Sequence, residues 1–527
     1  MLQKETPKSG TKKNKIILSI IIVVVIASVL LIASLFSRSE KQVSLENEVT
    51  LENQASLEKQ YNIHCGSCHL TPDPANIPKH LWQTGVLPEM AKRMGIKNYL
   101  EGSKGYSGIE KYHITLNKAY PKEPLLDSLK WQQLSNYIIS IAPDSIPNEP
   151  IRKGRNSLLT QFKSSFKTIN KAKPAGGIVN IKYDDKTNEL LVGDVFGQLY
   201  EMKDQPNIKL SLNSPIVSSV LVDQTLYVSE IGIMNPSEIP KGVIYSVNSD
   251  NITPLAKELH RPVYTEINDL NNDGNKEIII CEFGHLTGEL SLLVKQGSVY
   301  KKRTLLALPG SIKVEVVDMN GDGKKDIVAL FAQGREGIYV FYQKDNLEFS
   351  IDPAILMKPE YGSSWFSLFD YNNDGHLDIM LANGDNADYS RFLKPYHGIR
   401  LFINNGENQF NEEWFYPING ATRVLIDDFD RDGDFDFAVL SFFPDFDDCP
   451  EEGFVYLENK DAANYLFTAH TTEDAKSGNW LVMEKGDFDQ DGDVDLMLGN
   501  FSMLEANRFR NKEMHDLLIL DNKLIEK

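Results

Sequence analysis

Hydrophobic and polar positions change rhythm twice along this chain. Residues 16–36, IILSIIIVVVIASVLLIASLF, are 21 consecutive positions without a charge. A helix over them would be about 31 Å long, enough to cross a bilayer core of ~30 Å. Residues 45–63 (LENEVTLENQASLEKQYNI) and 126–142 (LDSLKWQQLSNYIISIA) instead space their apolar residues for one helical face. In the second, Leu126, Leu129, Leu134, Tyr137, Ile138 and Ile141 share that face, and Pro143 ends it. Beyond about residue 174 the period shortens. The runs IIIC, IVAL, IMLA, FAVL and LMLG each follow an acidic, Gly-containing loop, as strands entered through turns do. The pattern predicts a multidomain chain: an N-terminal transmembrane helix, a small all-α domain, then an all-β repeat domain.

Lys4, Lys8, Lys12, Lys13 and Lys15 precede the long apolar run against a single Glu5. Lysines flanking a span favour the cytoplasmic side, so everything after Phe36 is expected to be exported. Residues 1–15 then form a basic cytoplasmic tail, 16–36 a transmembrane helix or signal anchor, and 37–54 a juxtamembrane linker. A cleaved signal would normally have an apolar region of ~7–15 residues and a small-x-small site. Leu35, Phe36 and Arg38 make a poor one. Export follows in both cases.

Cys65-Gly66-Ser67-Cys68-His69 is the C-x-x-C-H signature of covalent haem attachment. Two thiols three positions apart on one turn both reach haem vinyl groups, and the adjacent His69 points its imidazole at the iron. A redox pair would be expected after a strand, and none is patterned there. A zinc knuckle would need a second C-x-x-C. A proline carbonyl of Leu70-Thr71-Pro72-Asp73-Pro74 is expected to hold the other ring nitrogen of His69. The sixth ligand falls between Met90 and Met94 in VLPEMAKRMGI, with His113 as the fallback and His80, His64 or an open position behind it. A thioether would favour reduced iron. With a helix before the motif and one closing the fold, residues 55–145 resemble a class I cytochrome c domain. Leu87-Pro88-Glu89-Met90 is similar to the Leu-Pro-x-Met segment of such domains, which favours Met90.

The remaining chain repeats D-x-[DN]-x-D-G-x-x-[DE] five times. The copies carry Asp269, Asn271, Asp273 and Glu277; Asp318, Asn320, Asp322 and Asp326; Asp370, Asn372, Asp374 and Asp378; Asp428, Asp430, Asp432 and Asp436; and Asp487, Asp489, Asp491 and Asp495. Oxygen donors at positions 1, 3, 5 and 9, with the carbonyl at 7 and a Gly at 6 for the turn, wrap a hard cation such as Ca²⁺. An EF-hand is excluded because strands, not helices, follow. A plain Asp-Gly hairpin would not require acids or amides at all four positions five times over. The ligand positions hold seventeen carboxylates, so five structural Ca²⁺ would bring the net charge from −19 to −9. Loop starts lie 49, 52, 58 and 59 residues apart, the length of a four-stranded propeller blade with insertions. Two degenerate blades, 179–202 and 218–232, precede them, which predicts seven. The repeats resemble the FG-GAP/VCBS family, whose calcium loops sit in propeller blades like those of integrin α-subunits. That resemblance covers about residues 174–520. Residues 383–410 are similar to a segment of bacterial proteins that fuse such a propeller to a cytochrome.

Composition adds boundaries. The 527 residues are 41% hydrophobic and 24% charged, with formal charge −19, which excludes wholesale disorder and argues against a nucleic-acid groove. Residues 146–173, rich in Pro, Lys, Ser and Asn, read as linker, leaving 174–527 as propeller. His285, His397, Tyr396, Lys394 and Arg400 fall just after strands, where propellers display ligand-facing loops. Asp385, Asn386 and Asp388 either orient a polar ligand or cap a turn. Cys281 and Cys449 are candidates for a disulfide in an oxidising compartment. No G-x-S-x-G or vicinal cysteine pair marks a hydrolase or quinoprotein dehydrogenase. The expectation is a single-pass protein of the bacterial inner membrane, its C-terminal domains in the periplasm or outside the cell. One covalent haem c would pass single electrons through His69 and Met90, and the propeller would dock a redox partner protein or a small-molecule ligand. An oxidoreductase with an organic substrate on the propeller, or a Ca²⁺-dependent adhesion protein, stays open.

Overall fold

In a computed structural model of the chain, the described residues are 54–147 except 97, 98 and 103, and 157–525 except 171, 204, 250, 388, 504–507 and 509–512; the side chains of 99 and 100 are also outside the description. The expected tail and transmembrane segment therefore lie outside the described residues. Among the described residues no helix is long and apolar enough to cross a membrane. The chain divides into two compact units, Met1–His64 and Cys65–Lys527.

The acidic repeats build the larger unit. Seven sheets occur, six of four strands and one with a fifth strand added, and each is built on antiparallel neighbours. Blade 1 runs from Ile178–Asp184 to Asn207–Ser211, blade 2 from Ile216–Val222 to Asn251–Leu259, and blade 3 from Pro262–Asn268 to Val299–Leu306. Blade 4 runs from Ser311–Val317 to Phe349–Leu356, blade 5 from Ser363–Phe369 to Phe410–Pro417, and blade 6 from Ala421–Asp427 to Leu466–Thr471. The chain forms a seven-bladed β-propeller.

The short apolar runs are the second strands of blades 3 to 7. Glu277–Glu282, Asp326–Phe331, Asp378–Asn383, Asp436–Ser441 and Asp495–Asn500 are buried at every position. A strand inside a blade is flanked by a sheet on each face, which is why these runs do not alternate. The core accordingly lies between neighbouring blades. One cluster joins Val328, Leu330 and Val340 of blade 4 to Phe366, Ile379 and Leu381 of blade 5.

Closure comes from a segment expected to be linker. Phe162–Lys167 pairs antiparallel with Leu517–Asn522 and completes blade 7 with Trp480–Gly486 and Asp495–Asn500. Ser157–Leu158 adds a parallel bridge to Leu466–Thr471 of blade 6. The expected linker over 146–173 thus contains propeller strands. The composition misled because Phe162-Lys163-Ser164-Ser165-Phe166-Lys167 buries little of itself; one outer strand of a blade needs only one apolar edge.

Residues 54–65 are helical, followed by turns over 66–68. Further helices are Leu87–Arg93, Gly108–Leu116 and Ser128–Ile141. Ser107 and Glu110 form a reciprocal capping box at the second of these, and Asp127 caps the last. The predicted face of the last helix is narrower than its periodicity suggested. Leu126, Leu134 and Ile138 are buried, whereas Leu129 and Ile141 are 66% and 42% exposed.

Candidate functional site

The five acidic loops all connect the first strand of a blade to its second, so they crowd one edge of the propeller. Their geometry repeats. The position-1 carboxylate accepts the N–H of the position-6 glycine at 2.8–3.1 Å in every copy, as from Gly323 to Asp318 and from Gly433 to Asp428. The position-5 carboxylate accepts the N–H of position 7. These bonds curl each loop around its own acids. Glycine at position 6 has φ between 81° and 104°, where side chains are strained. Position 4 is left-handed too, which the motif did not reveal: Asn272, Asn373, Arg431 and Gln490 all have φ near 58°.

Position 9 starts the second strand and is almost fully buried. In blade 4, Asp326 accepts N–H groups from Met319 in the loop and Gln343 on the third strand. Asp378 does the same with Tyr371 and Asn404, and Asp495 with Phe488 and Asn522. Asp436 accepts from Asn459 N–H and the Tyr456 hydroxyl. Position 9 is therefore a bracket between loop and sheet as well as a candidate ligand.

The loops fall into two groups. In blades 3 to 5 the amide at position 3 donates to the position-5 carboxylate, as Asn372 does to Asp374 at 2.9 Å. In blades 6 and 7 that position is Asp. Carboxylate oxygens of Asp428, Asp430 and Asp432 lie within 4.8 Å of one another, as do those of Asp487, Asp489 and Asp491. Burial, opposed by hydrogen bonds from Tyr456 and Asn459, pushes Asp436 up to about 7, with Asp430 and Asp434 adding repulsion. Burial and the neighbouring Asp521 and Asp489 push Asp495 up to about 7 as well. Asp428 Oδ1, Asp434 Oδ1 and Asp493 Oδ1 are buried without a donor. Oxygen-only donors crowded this closely suit a hard divalent cation, which would supply the missing positive charge.

The C-x-x-C-H motif lies on the helical part of the larger unit. Cys65 ends the helix over 54–65, Cys68 is exposed, and both are free thiols. His69 Nδ1 lies 2.7 Å from the carbonyl of Leu70. A carbonyl only accepts, so Nδ1 carries the proton and Nε2 keeps the lone pair a metal needs. The holding carbonyl is thus that of Leu70, not of a proline; the Pro74 carbonyl accepts from the Trp82 indole. Burial, then the Cys68 charge, pushes the Cys65 thiol up to about 12. Met90 is partly buried on Leu87–Arg93, and Met94 caps that helix. His113 stands edge-on to His260 of the propeller, with ring centroids 6.4 Å apart. His80 is exposed.

The helical segment packs against the propeller edge opposite the acidic loops. Glu360, between blades 4 and 5, accepts from Asp73 N–H and Asn76 Nδ2, each at 3.0 Å. Tyr396 Oη donates to the Asn76 carbonyl, and Ser237 Oγ donates to Glu110. Leu286 of blade 3 packs with Ile114 and Tyr120. All of these propeller groups lie in second-to-third-strand loops or between blades. Several candidate ligand-facing residues serve this contact or the adjacent loop. Arg400 is buried, donates to Glu412 and the Tyr396 carbonyl, and stacks on Phe415. Lys394 and His397 are also buried. Burial, followed by Arg93 and Arg261, holds His285 down at about 4. Asp385 caps Ala387 N–H, Asn386 donates to the Phe392 carbonyl, and Asp388 lies outside the described residues. Cys281 and Cys449 are both buried, in blade 3 and after the second strand of blade 6, and no disulfide joins them.

Residues 318–381 match the family model of the FG-GAP-like repeat. The match begins at the blade 4 loop and ends in the second strand of blade 5. No curated protein matches the chain. Among solved structures, the chain is similar to the N-terminal domain of Nup159 at 11% identity and TM-score 0.39, covering 69% of this chain and 97% of that one. The Neurospora crassa Pan2 WD40 domain gives 11% identity and TM-score 0.39, covering 69% and 96%. BBS1N gives 10% and 0.43, covering 68% and 96%. Likeness at this level bears on neither activity nor partner.

Two carboxylates that motif reading missed are Asp493 and Asp521. Asp521 lies in one three-carboxylate group with Asp489 and Asp495. A signal did exist: the third strands of blades 5 to 7 contain FIN, LEN and LDN, a recurring Asn preceded in two copies by an acid.

Proposed function

We propose that this chain is an exported, membrane-anchored c-type cytochrome whose calcium-stabilised propeller docks a redox partner or ligand. One haem, bound through Cys65 and Cys68, would supply a single-electron carrier at the helical segment. His69 offers Nε2 to the iron while Leu70 holds its ring, and Met90, ahead of Met94, is the sixth donor. The observation that carries this reading is the pair of free thiols at a helix end followed by a histidine with its tautomer set for metal binding. Exposed apolar side chains along the helical part of the chain support it. Of eighteen exposed large apolar side chains among the described residues, seven lie between Leu70 and Ile141.

The acidic loops would hold up to five Ca²⁺ as structural ions, each neutralising carboxylates that otherwise repel. The helical segment covers parts of blades 2 to 5 on the opposite edge, so an electron carrier there sits on a rigid platform. Export through the N-terminal helix accounts for both haem attachment and millimolar-calcium surroundings.

The test is a reduced-minus-oxidised visible spectrum with redox titration on protein exported from a host competent in haem attachment. The expected result is one covalent haem, absent from a Cys65→Ala, Cys68→Ala double variant, with a lower potential in Met90→Ala than in Met94→Ala. An exported chain without added porphyrin mass would refute the electron-carrier reading.

A further inference from the structure

We propose that the central channel of the propeller binds a small zwitterion of the α-amino-acid type, its carboxylate on Arg423 and the Trp365 indole and its ammonium on Glu266. The site uses neither the C-x-x-C-H motif nor the acidic loops, so it goes beyond the electron-carrier and calcium readings.

The first strands of successive blades contact one another around the ring, so they line its axis. In blades 3 to 6 the first residue paired after the bulge of that strand is Tyr264, Lys313, Trp365 and Arg423. These side chains meet across the axis rather than staying within their blades. The Tyr264 and Trp365 rings, two blades apart, have centroids 6.2 Å apart. Lys313 Nζ lies 4.3 Å and Arg423 Cζ 4.0 Å from the centre of the Trp365 ring. Side chains two residues further along fall on the same face of each strand. That places Glu266 and Glu315 in the next layer, with Glu484 of blade 7 and Lys182 of blade 1. Tyr264, Trp365, Arg423 and Glu266 are only partly buried; on an innermost strand the accessible part faces the channel.

The polar groups here do not all find partners. Lys182 pairs with Glu484 at 3.2 Å and Lys313 with Glu315 at 2.7 Å. Among the described residues, Arg423 donates to the Met483 carbonyl at 3.0 Å but pairs with no carboxylate, and no cation lies within ion-pair distance of Glu266. Trp365 Nε1–H is buried and meets no acceptor. A guanidinium and an indole donor thus lack an anion in one layer, and a carboxylate lacks a cation in the next. Groups held away from water in that state are costly. A molecule carrying both charges satisfies all three and leaves the net charge of the channel unchanged, whereas a lone anion leaves Glu266 as it was.

The spacing fits. Layers two residues apart lie ~7 Å apart along a strand. An α-amino acid sets its ammonium nitrogen about 2.5 Å from its carboxyl carbon, and a charge-assisted hydrogen bond of ~2.8 Å at each end extends the reach to about 8 Å. Apolar side chains close one end of the channel, where Val179, Val217 and Leu481 cluster with Phe442 and Phe501. Entry is therefore from the edge that carries the acidic loops.

Isothermal titration calorimetry of the full chain with each common amino acid in turn, and with acetate and methylammonium, tests this. At least one amino acid should bind about tenfold or more tightly than either single-charge probe. Arg423→Gln and Glu266→Gln should each weaken that binding by about tenfold or more, and Trp365→Phe, which keeps a ring beside both cations and removes the N–H, by several-fold. Should Arg423→Gln lose its cooperative melting transition, the other two variants carry the test. The Cys65→Ala, Cys68→Ala chain should bind as the wild type does, so failure here leaves the haem reading standing. No binding of any amino acid, or binding that Glu266→Gln and Trp365→Phe leave unchanged, would overturn the proposal. Acetate binding as tightly as every amino acid would also overturn it, leaving an anion site alone.

Discussion

Replacing Asp326 by Ala separates the two jobs that position 9 of an acidic loop can do. Asp326 is 0% exposed and accepts the N–H of Met319 at 3.0 Å and of Gln343 at 2.8 Å. Truncation leaves both buried donors without an acceptor. At ~1–3 kcal/mol for each unpaired buried group, the loss is about 2–6 kcal/mol, and it is present with or without metal. Asp322 of the same loop is the contrast. It is exposed and accepts from Lys324 N–H at 2.9 Å and Asn320 Nδ2 at 3.3 Å. Water replaces those bonds, so Asp322→Ala should cost under ~1 kcal/mol in chelator. In Ca²⁺ it should lose linkage stabilisation as well, ~2.7 kcal/mol where the free ion is a hundredfold above its dissociation constant. The assay is the denaturant midpoint of each variant in chelator and in Ca²⁺. Asp326→Ala that matches the wild type in chelator and falls behind only in Ca²⁺ would refute the bracket and leave position 9 a ligand alone.

Further outcomes follow from other contacts. Burial raises Glu336 to about 8, with Asp385 and Glu360 adding repulsion against the lowering effect of Ser363. Its folded pKa lies above the unfolded value of ~4.3, so stability should fall as pH rises between them. Glu336→Gln should therefore raise the melting temperature at pH 9 and not at pH 4; equal shifts at both would contradict the burial argument. Phe162 is 5% exposed and meets Phe429 and Tyr456 edge-on at 6.1 and 5.6 Å. Phe162→Ala should cost about 3–5 kcal/mol by thermal or denaturant unfolding, whereas a true linker residue would cost nothing. A Cβ added at Gly85 would run into the Tyr389 carbonyl oxygen. Gly85→Ala should then loosen the helical segment at a cost of ~1–3 kcal/mol, seen as faster proteolysis of that segment in the intact protein.

Much of the propeller was legible because its information is local. Donors at positions 1, 3, 5 and 9 with Gly at 6 specify a loop whatever surrounds it, and the apolar run after each loop specifies a strand buried on two faces. Counting those units led to seven blades without reference to any contact between them. The C-x-x-C-H pentapeptide is equally self-contained: its chemistry depends on three side chains within one turn.

What stayed hidden depends on which element covers which. The strand at 162–167 carries too little apolar pattern to announce itself, since its partner Leu517–Asn522 lies some 350 residues away and supplies the other half of the pairing. Leu129 and Ile141 share a helical face with Leu134 and Ile138, yet periodicity states only that they align, not that anything packs over all four. The chain by itself determined the repeating loops, their strands and the thiol–histidine motif, because these are set by spacing along the backbone. Only the tertiary structure decided the ring closure, the placement of helices and acidic loops on opposite edges, and the approach of Asp521 to the seventh loop. Those depend on register between distant strands, and no pattern read one segment at a time contains it.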